Sequence, residues 1–564
     1  MKIVQLDVDS IEYEPIEPES PIHEKIEKKK VVVKDGLVLL IAIEKDDTEA
    51  FASKAVKEAL DFAAKQKTAN IVLYPFAHLS SNLEKPQRAL NLFDYMVKET
   101  QKSKLKVHRA PFGWNKKFAL EIKSHPLAEM FRSYSSEERK AEKGKVAKKV
   151  DTSIVRKSDF AGLPETDHRI IGERLDLFSF QEVSPGMVYW HNNGYIVIKE
   201  LMKFIRDKYE EYGYQEISTP AMANTALWHT SGHIDHYREN MFIIDANNQE
   251  VGLRPMGCPF AILVYKSTKH SYKDLPMRLA EFGTYYRNEI SGALSGLFRV
   301  RAMTQDDGHI FVTEEQIVPE VEKTLKLVDD YYTTFGLKYK AKLSTMPDNH
   351  AGNEEEWEKA TNFLKKALEK SKMKYEVKEK EGAFYGPKID FDIKDSMGRD
   401  WQCATIQVDS QMPKRFNLSY VGEDGKEHMP TIIHRAGFGT LERFVGILIE
   451  HLQGKFPTWL APVQVRVITI SEQANEYAYK IYKEIKATGI RVDADATDKT
   501  LDYKIREAQN QKIPYMLILG KKEMESKKIS VRGRSGKQKM GLSLEEFISS
   551  ISKEIKERKN EQML

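Results

Sequence analysis

Apolar positions along the first 135 residues follow two rhythms. The runs KIVQLDV, LVLLIAI and NIVLYPF are short, aliphatic and β-branched, and polar residues bound them, so each predicts a strand. Segments 48–67 and 86–103 instead repeat apolar residues at helical spacing and predict helices. Together they predict a compact α/β domain over 1–135. The pattern then stops. Residues 136–158 lack an apolar stripe and carry eight basic against four acidic residues, which predicts a solvated helix or tether inside a linker spanning 136–165.

From 166 to 461 the pattern is mixed. Helical stretches such as YIVIKELMKFIRDKYEEYG are interspersed with the strand-like runs LAEFGTYYRNE, IDFDIKD and WQCATIQVD, joined by irregular polar connections. Without regular βα alternation, a mostly antiparallel sheet flanked by helices is expected, an α+β arrangement. From 462 to 564 the alternation becomes regular: strand VQVRVITI, helix 474–488, strand IRVDAD, helix 501–512, strands PYMLILG and ISVRGR, and a last helix over 543–559. Ser543 and Glu546 have the spacing of a capping box at its start. The fold class expected is therefore a multidomain α/β and α+β chain. No internal repeat or long low-complexity run is present.

A length of 564 residues implies about three to five domains. With 41% hydrophobic, 10% aromatic and 30% charged residues, global disorder and collagen are excluded. A net charge of +4 is too small to identify an acidic partner, so any nucleic-acid surface must come from local clustering. Cys258 and Cys403 are the two cysteines, too few for a disulfide framework, and a reducing cytoplasm is expected. The acidic start does not read as a signal peptide, and no apolar run reaches 18 residues, so neither secretion nor a membrane span is expected.

Neither G-x-x-x-x-G-K-[ST] nor G-x-G-x-x-G occurs. A phosphate would instead need arginines on strands, and Arg287, Arg299, Arg301 and Arg443 are available, although each taken singly reads as a surface or ion-paired residue. In HTSGHIDH, His229, His233 and His236 fall at i, i+4 and i+7, a spacing that would present one helix face to a metal. No Glu follows the first His, and Ser231–Gly232 interrupts the turn, so a loop with one functional histidine fits better than a metal hydrolase. Cys258, His309 and His434 lie far apart, and spacing alone favours a buried thiol and two core histidines over a Cys-His-His zinc site.

The stretch RLAEFGTYYRNEISGALSGLFRVRAMTQDDGHIF changes that balance, together with Pro220 in GYQEISTPAM, GCPF around Cys258, EGAFYGPKIDF, WQCATIQVD and IIHRAGFGTLERFVGIL. In this order they resemble the class II threonyl-tRNA synthetase family, over essentially the whole chain from about 167 onward. The resemblance implies a class II antiparallel-sheet catalytic core. It places Arg287 on the ATP α-phosphate, Glu289 at the adenine, and Arg299 and Arg443 on the outer phosphates. It aligns Cys258, His309 and His434 with zinc ligands, and Asp307 with the carboxylate that takes the threonine hydroxyl hydrogen. Tyr385, Lys388, Gln402 and Gln407 fall along the amino-acid and nucleotide pocket, and His233 near the terminal ribose of tRNA. Around the cysteine the family pattern N-C-P-G-H becomes Gly257-Cys258-Pro259-Phe260-Ala261, which keeps the ligand and changes its surroundings.

The segments YPFAHLSS, APFGWNKKF and SHPLAE resemble the editing domain of archaeal members of the same family, itself similar to D-aminoacyl-tRNA deacylases. The resemblance puts His78, Lys116 and Glu129 around a mischarged ester, with Asn115 where an aromatic residue is expected. This pairing of an archaeal-looking module with a bacterial-looking core suggests an archaeal source of mixed history. At the other end, residues 521–540 carry eight basic and two acidic residues, and the domain resembles the anticodon-binding domain of class II synthetases, with Glu525 and Arg534 at base-reading positions.

The function expected is a cytoplasmic threonyl-tRNA synthetase acting on L-threonine, ATP with Mg2+, and tRNA(Thr). One zinc per subunit, a homodimer and hydrolysis of seryl-tRNA(Thr) are also expected. A class II synthetase for serine or proline, a catalytically silent tRNA-binding paralogue and a metal hydrolase on His229 and His233 are the competing readings.

Overall fold

The computed structural model describes residues 1–134 and 160–564, apart from 46, 67, 81, 125–127, 161, 247, 248, 396 and 397 and the side chains of Ser133 and His236. The tether expected over 136–158 lies outside the described residues. The chain divides into two compact units, Met1–Asp151 and Thr152–Leu564.

In the first unit the three predicted strands pair with three that the sequence reading does not predict, in one sheet of order Lys106–Arg109, Asn70–Pro75, Val31–Ala42, Lys2–Pro18, Trp114–Ile122, with Glu129–Ser133 also on Lys2–Pro18. The first three run parallel to one another and the others pair antiparallel. Helices Glu49–Gln66 and Pro86–Gln101 bury Ala52, Val56, Phe62, Phe93 and Met96 with Leu37, Leu39 and Ile71 of the sheet. Strand residues of the opposite parity, Leu6, Val8, Val38, Leu40 and Val72, form a second apolar layer.

The second unit is built on an eight-stranded sheet. Its order is Tyr375–Lys378, Tyr339–Ser344, Lys388–Lys394, Asp400–Asp409, Thr431–Thr440, Ala302–Val312, Met277–Tyr286, Gln215–Glu216. Neighbours are antiparallel except for the outermost pair at each edge. Strand parity decides what each side chain does. On Ala302–Val312 and Thr431–Thr440, Ile310, Val312 and Ile433 pack among Leu325, Val328 and Tyr331 of helix Ile317–Thr334. Phe311 and Ile432 belong to a cluster on the other face. Each fully buried aliphatic side chain here stabilises the fold by about 1.5–3 kcal/mol.

The C-terminal part of this unit is a five-stranded sheet, Val492–Asp495, Val465–Thr469, Tyr515–Leu519, Ile529–Gly533 and Gln538–Leu542. Its last helix, Leu544–Lys556, is opened by Ser543 and Glu546 as the capping box the sequence implies.

Candidate active site

Two strands and one helix end bring the sulfur and imidazoles together. His309 and His434 are direct partners across the antiparallel pair Ala302–Val312 and Thr431–Thr440, with ring centroids 4.9 Å apart. Cys258 opens the helix Cys258–Lys266, with Pro259 in its first turn. One ligand atom from each of Cys258, His309 and His434 lies within 4.8 Å of the others, and all three residues are buried. His434 Nε2 is 2.9 Å from the buried Asp409 Oδ2, a carboxylate that orients the imidazole as outer partners of metal-binding histidines do. Burial pushes the Cys258 thiol up and holds the His309 imidazole neutral. A thiol and two imidazoles converging from separate elements fit the donor set of a zinc site with an open fourth position.

The same row continues across the sheet, because Gln407 is paired with His434 and Lys388 with Gln407. Tyr385 donates its hydroxyl hydrogen to Gln407 Oε1 at 2.8 Å. Lys388 Nζ lies 2.8 Å from Asp390 Oδ2, and Gln402 Nε2 donates to Asp390 Oδ1 at 2.6 Å. Asp390 thus ties two expected pocket residues together. Asp307, two residues before His309, has the parity of the site face, and burial raises its carboxyl above the usual range.

The arginines gather beside this row. Arg443, at the start of helix Leu441–Leu452, donates from Nε to the Phe298 carbonyl at 2.9 Å and from Nη1 to the Gln402 carbonyl at 2.7 Å. Burial first, and then the charges of Arg287 and Arg299, lower its pKa. Arg299 Nε donates to Glu289 Oε2 at 2.9 Å, so these two side chains hold each other. Arg287 follows strand Met277–Tyr286, and its backbone N–H donates to the Arg301 carbonyl.

The histidines of HTSGHIDH do not form one helical face. Gly232 sits at φ +81°, ending helix Thr225–Ser231, and a new helix begins at His233. His233 is buried, with Nδ1 2.7 Å from Ser231 Oγ and Nε2 4.0 Å from Cys258 Sγ. A second buried cluster, Asp167, His168 and Glu450, also has metal-ligand spacing. There His168 Nδ1 lies 2.8 Å from Glu450 Oε1 and Nε2 accepts the Leu297 N–H at 3.0 Å. Both ring nitrogens are thereby committed, one to Glu450 of helix Leu441–Leu452 and the other to the backbone of the 287–301 segment.

Asp390, Asp409, His168 and the buried Asp306–Arg435 pair have no place in the sequence reading. The signal for Asp306 was present in QDDGH, since adjacent carboxylates on a strand must point to opposite faces.

In the first unit, Lys116 and His78 line a cavity of about 490 Å3, together with Tyr74, Phe76, Phe118 and Asn115. Lys116 Nζ donates to the Trp114 carbonyl at 2.7 Å and the Pro111 carbonyl at 3.1 Å, and lies 4.9 Å from the Tyr74 ring centroid. Glu129 is exposed, paired with Leu6, and does not line this cavity. The structure therefore brings two of the three expected editing residues to one wall and leaves Glu129 off it.

Burial lowers the Lys116 pKa from 10.5 to about 8. Between these values the unfolded chain binds a proton that the folded chain does not, so stability rises with pH across that window. The urea midpoint of the wild-type chain, relative to Lys116→Met, is expected to increase from about pH 8 to about pH 10. A difference flat across this range contradicts that account.

In the C-terminal part, Glu525 is exposed on helix Lys521–Ser526. Arg534 differs from the expected base reader. Its Nε donates to the Lys512 carbonyl at 3.0 Å and Nη2 to the Phe456 carbonyl at 2.7 Å, and burial lowers its pKa to about 10. This guanidinium clamps backbone inside the second unit. Arg534→Ala is accordingly expected to destabilise the chain by about 2–3 kcal/mol, read as a lower urea midpoint. An unchanged midpoint with lost tRNA selectivity would restore the base-reading role.

Comparison with known proteins follows the same division. Residues 239–452 match the tRNA synthetase class II core domain (G, H, P, S and T). Residues 1–134 match the Archaea-specific editing domain of threonyl-tRNA synthetase, and 464–554 an anticodon binding domain. Threonine–tRNA ligase of Clostridium tetani is 52% identical over 392 residues, 70% of this chain and 61% of the relative. That of a Thermotoga species is 54% identical over 399 residues, 71% of this chain and 62% of the relative. The chain thus spans about three fifths of the length of these relatives. Among solved structures, the RNA binding domain of threonyl-tRNA synthetase from Cryptosporidium parvum superposes with a TM-score of 0.67 at 44% identity, covering 69% of this chain and 98% of that one. Putative threonyl-tRNA synthetase ThrRS-1 from Aeropyrum pernix gives a TM-score of 0.62 at 28% identity, with 70% and 98% coverage. With His309 paired to His434 across the sheet and 44% identity over 98% of a solved threonyl-tRNA synthetase segment, the chain belongs to the threonyl-tRNA synthetases.

Proposed function

We propose that the chain joins L-threonine to tRNA(Thr) through a threonyl-adenylate and hydrolyses seryl-tRNA(Thr) in its first unit. The convergence of Cys258, His309 and His434 beside Asp307 carries this reading. Zinc bound there would supply an open coordination position for the substrate amine and hydroxyl. Asp307 accepts the hydroxyl hydrogen, while Tyr385 and Gln407 hold the pocket wall between zinc ligands and Lys388.

ATP, as its Mg2+ complex, meets Arg287 at the α-phosphate and Arg299 and Arg443 at the outer phosphates, with Glu289 at the adenine. The threonine carboxylate is ionised at neutral pH and attacks the α-phosphorus without a protein base. Guanidinium groups already fixed by carbonyls, as Arg443 is, stabilise the developing charge with little reorganisation. His233 stands at the tRNA end of the site, and the exposed basic stretch around Lys527 and Lys528 contacts the tRNA backbone. Two copies assemble as the working unit in the cytoplasm; among the described residues no helix is long and apolar enough to cross a membrane.

Threonine-dependent ATP–pyrophosphate exchange on the zinc-loaded chain tests the first reaction. Exchange driven by serine or proline in its place, or none with tRNA binding retained, would refute it. Deacylation of seryl-tRNA(Thr), lost in Lys116→Met with exchange unchanged, tests the second.

A further inference from the structure

We infer that Tyr285 is a positioning residue for amino-acid selection, its hydroxyl holding one oxygen of Asp307 so that the other meets the substrate hydroxyl. The inference rests on the Asp307 role proposed above and names the group that sets its geometry.

Tyr285 is wholly buried, and its hydroxyl donates to Asp307 Oδ2 at 2.7 Å. Among the described residues it is the one hydrogen-bond donor to this side chain. The carboxylate is therefore anchored at one oxygen and open at the other.

Two glycines make room for that anchor. A Cβ at Gly257 would lie well inside 3.0 Å of both the Tyr285 hydroxyl and Asp307 Oδ2, and a Cβ at Gly283 well inside 3.0 Å of the same hydroxyl. Gly257 has φ −94°, and Gly283 does not lie at positive φ. Neither position demands glycine for its backbone, so the absent side chains serve space. Gly257 stands where the family pattern N-C-P-G-H has asparagine, and the hydroxyl fills that volume.

The ring is fixed as well. The Arg254 guanidinium carbon lies 5.0 Å from the Tyr285 centroid. Arg254 is itself held by Glu281 at 3.0 Å and by the Thr284 carbonyl at 2.9 Å. A hydroxyl anchored this way restricts Asp307 before threonine arrives, the arrangement that hydroxyl recognition at a buried polar site requires.

The test is threonine-dependent exchange in Tyr285→Phe, which keeps the ring and removes one atom. KM for threonine is expected to rise about tenfold or more, with KM for ATP within twofold and bound zinc unchanged. Gly257→Ala is expected to raise KM for threonine in the wild-type background, and by a smaller factor in Tyr285→Phe, where part of the clash is gone. Equal rises in both KM values, or KM for threonine within twofold of wild type, would overturn the inference. Absence of threonine-dependent exchange in the wild-type chain would instead overturn the proposed function on which it rests, and is seen before any variant is measured.

Discussion

Valine is expected to drive ATP–pyrophosphate exchange about 10^4-fold less efficiently than threonine, measured as kcat/KM on the zinc-loaded chain. The two amino acids are nearly isosteric, so an apolar pocket would separate them by only about 100-fold. The site found here is not apolar at the point of difference. Cys258, His309 and His434 converge within 4.8 Å, and Asp307 lies two residues from His309 on the same face. Valine would place a methyl against a carboxylate and an open coordination position and leave both unsatisfied, a loss a methyl cannot repay. Serine is the contrasting case, because it keeps the hydroxyl and lacks one methyl, a difference of about 1–3 kcal/mol. Its exchange is expected within about 10–200-fold of threonine. That margin gives the proposed editing in the first unit, which matches an editing-domain family and has Lys116 on its cavity wall, a substrate to remove. A threonine-to-valine ratio near 100 would mean that shape alone selects the substrate.

The second large effect is on stability. Arg435→Met is expected to destabilise the second unit by about 3–5 kcal/mol, measured as a shift of its urea midpoint. Arg435 and Asp306 are fully buried and form an ion pair on the helix-facing side of the sheet. Tyr209 donates to Asp306 at 2.6 Å, and the guanidinium lies 4.5 Å from the Tyr214 ring centroid. Removing the cation leaves a carboxylate in a dry core, and that uncompensated charge, rather than the lost attraction, dominates the cost. Replacing both partners, as Asp306→Leu with Arg435→Met, is expected to recover much of the loss. A double variant as unstable as the single one would show that the pair stabilises the fold in its own right.

Much of the architecture was legible in one dimension. The predicted helices of 48–103 and the predicted strands and helices of 463–559 match observed elements to within a few residues, because amphipathic surfaces leave their period in the chain. By contrast, Val31–Ala42 starts six residues before LVLLIAI, and Lys521–Ser526 and Gln538–Leu542 are not anticipated. Lys2–Pro18 runs ten residues past its apolar run KIVQLDV, since cross-strand pairing with Val31–Ala42 and Trp114–Ile122 extends a strand that local pattern would end. The central strand Thr431–Thr440 is buried on both faces, which erases the alternation that would have marked which side each residue serves.

For the site, residue types and family motifs named Cys258, His309, His434, Arg287 and Arg443 without any coordinates. The sequence by itself determined the chemistry on offer, since side-chain identity sets charge, softness toward metals and hydrogen-bond capacity. Tertiary structure decided which groups meet. It paired His309 with His434, sent Asp306 and Asp307 to opposite faces, committed Arg534 to carbonyls, kept Glu129 off the cavity wall and set Tyr285 against two glycines. The physical reason is that such meetings depend on strand register, parity and the close approach of residues far apart in sequence, none of which has a period along the chain.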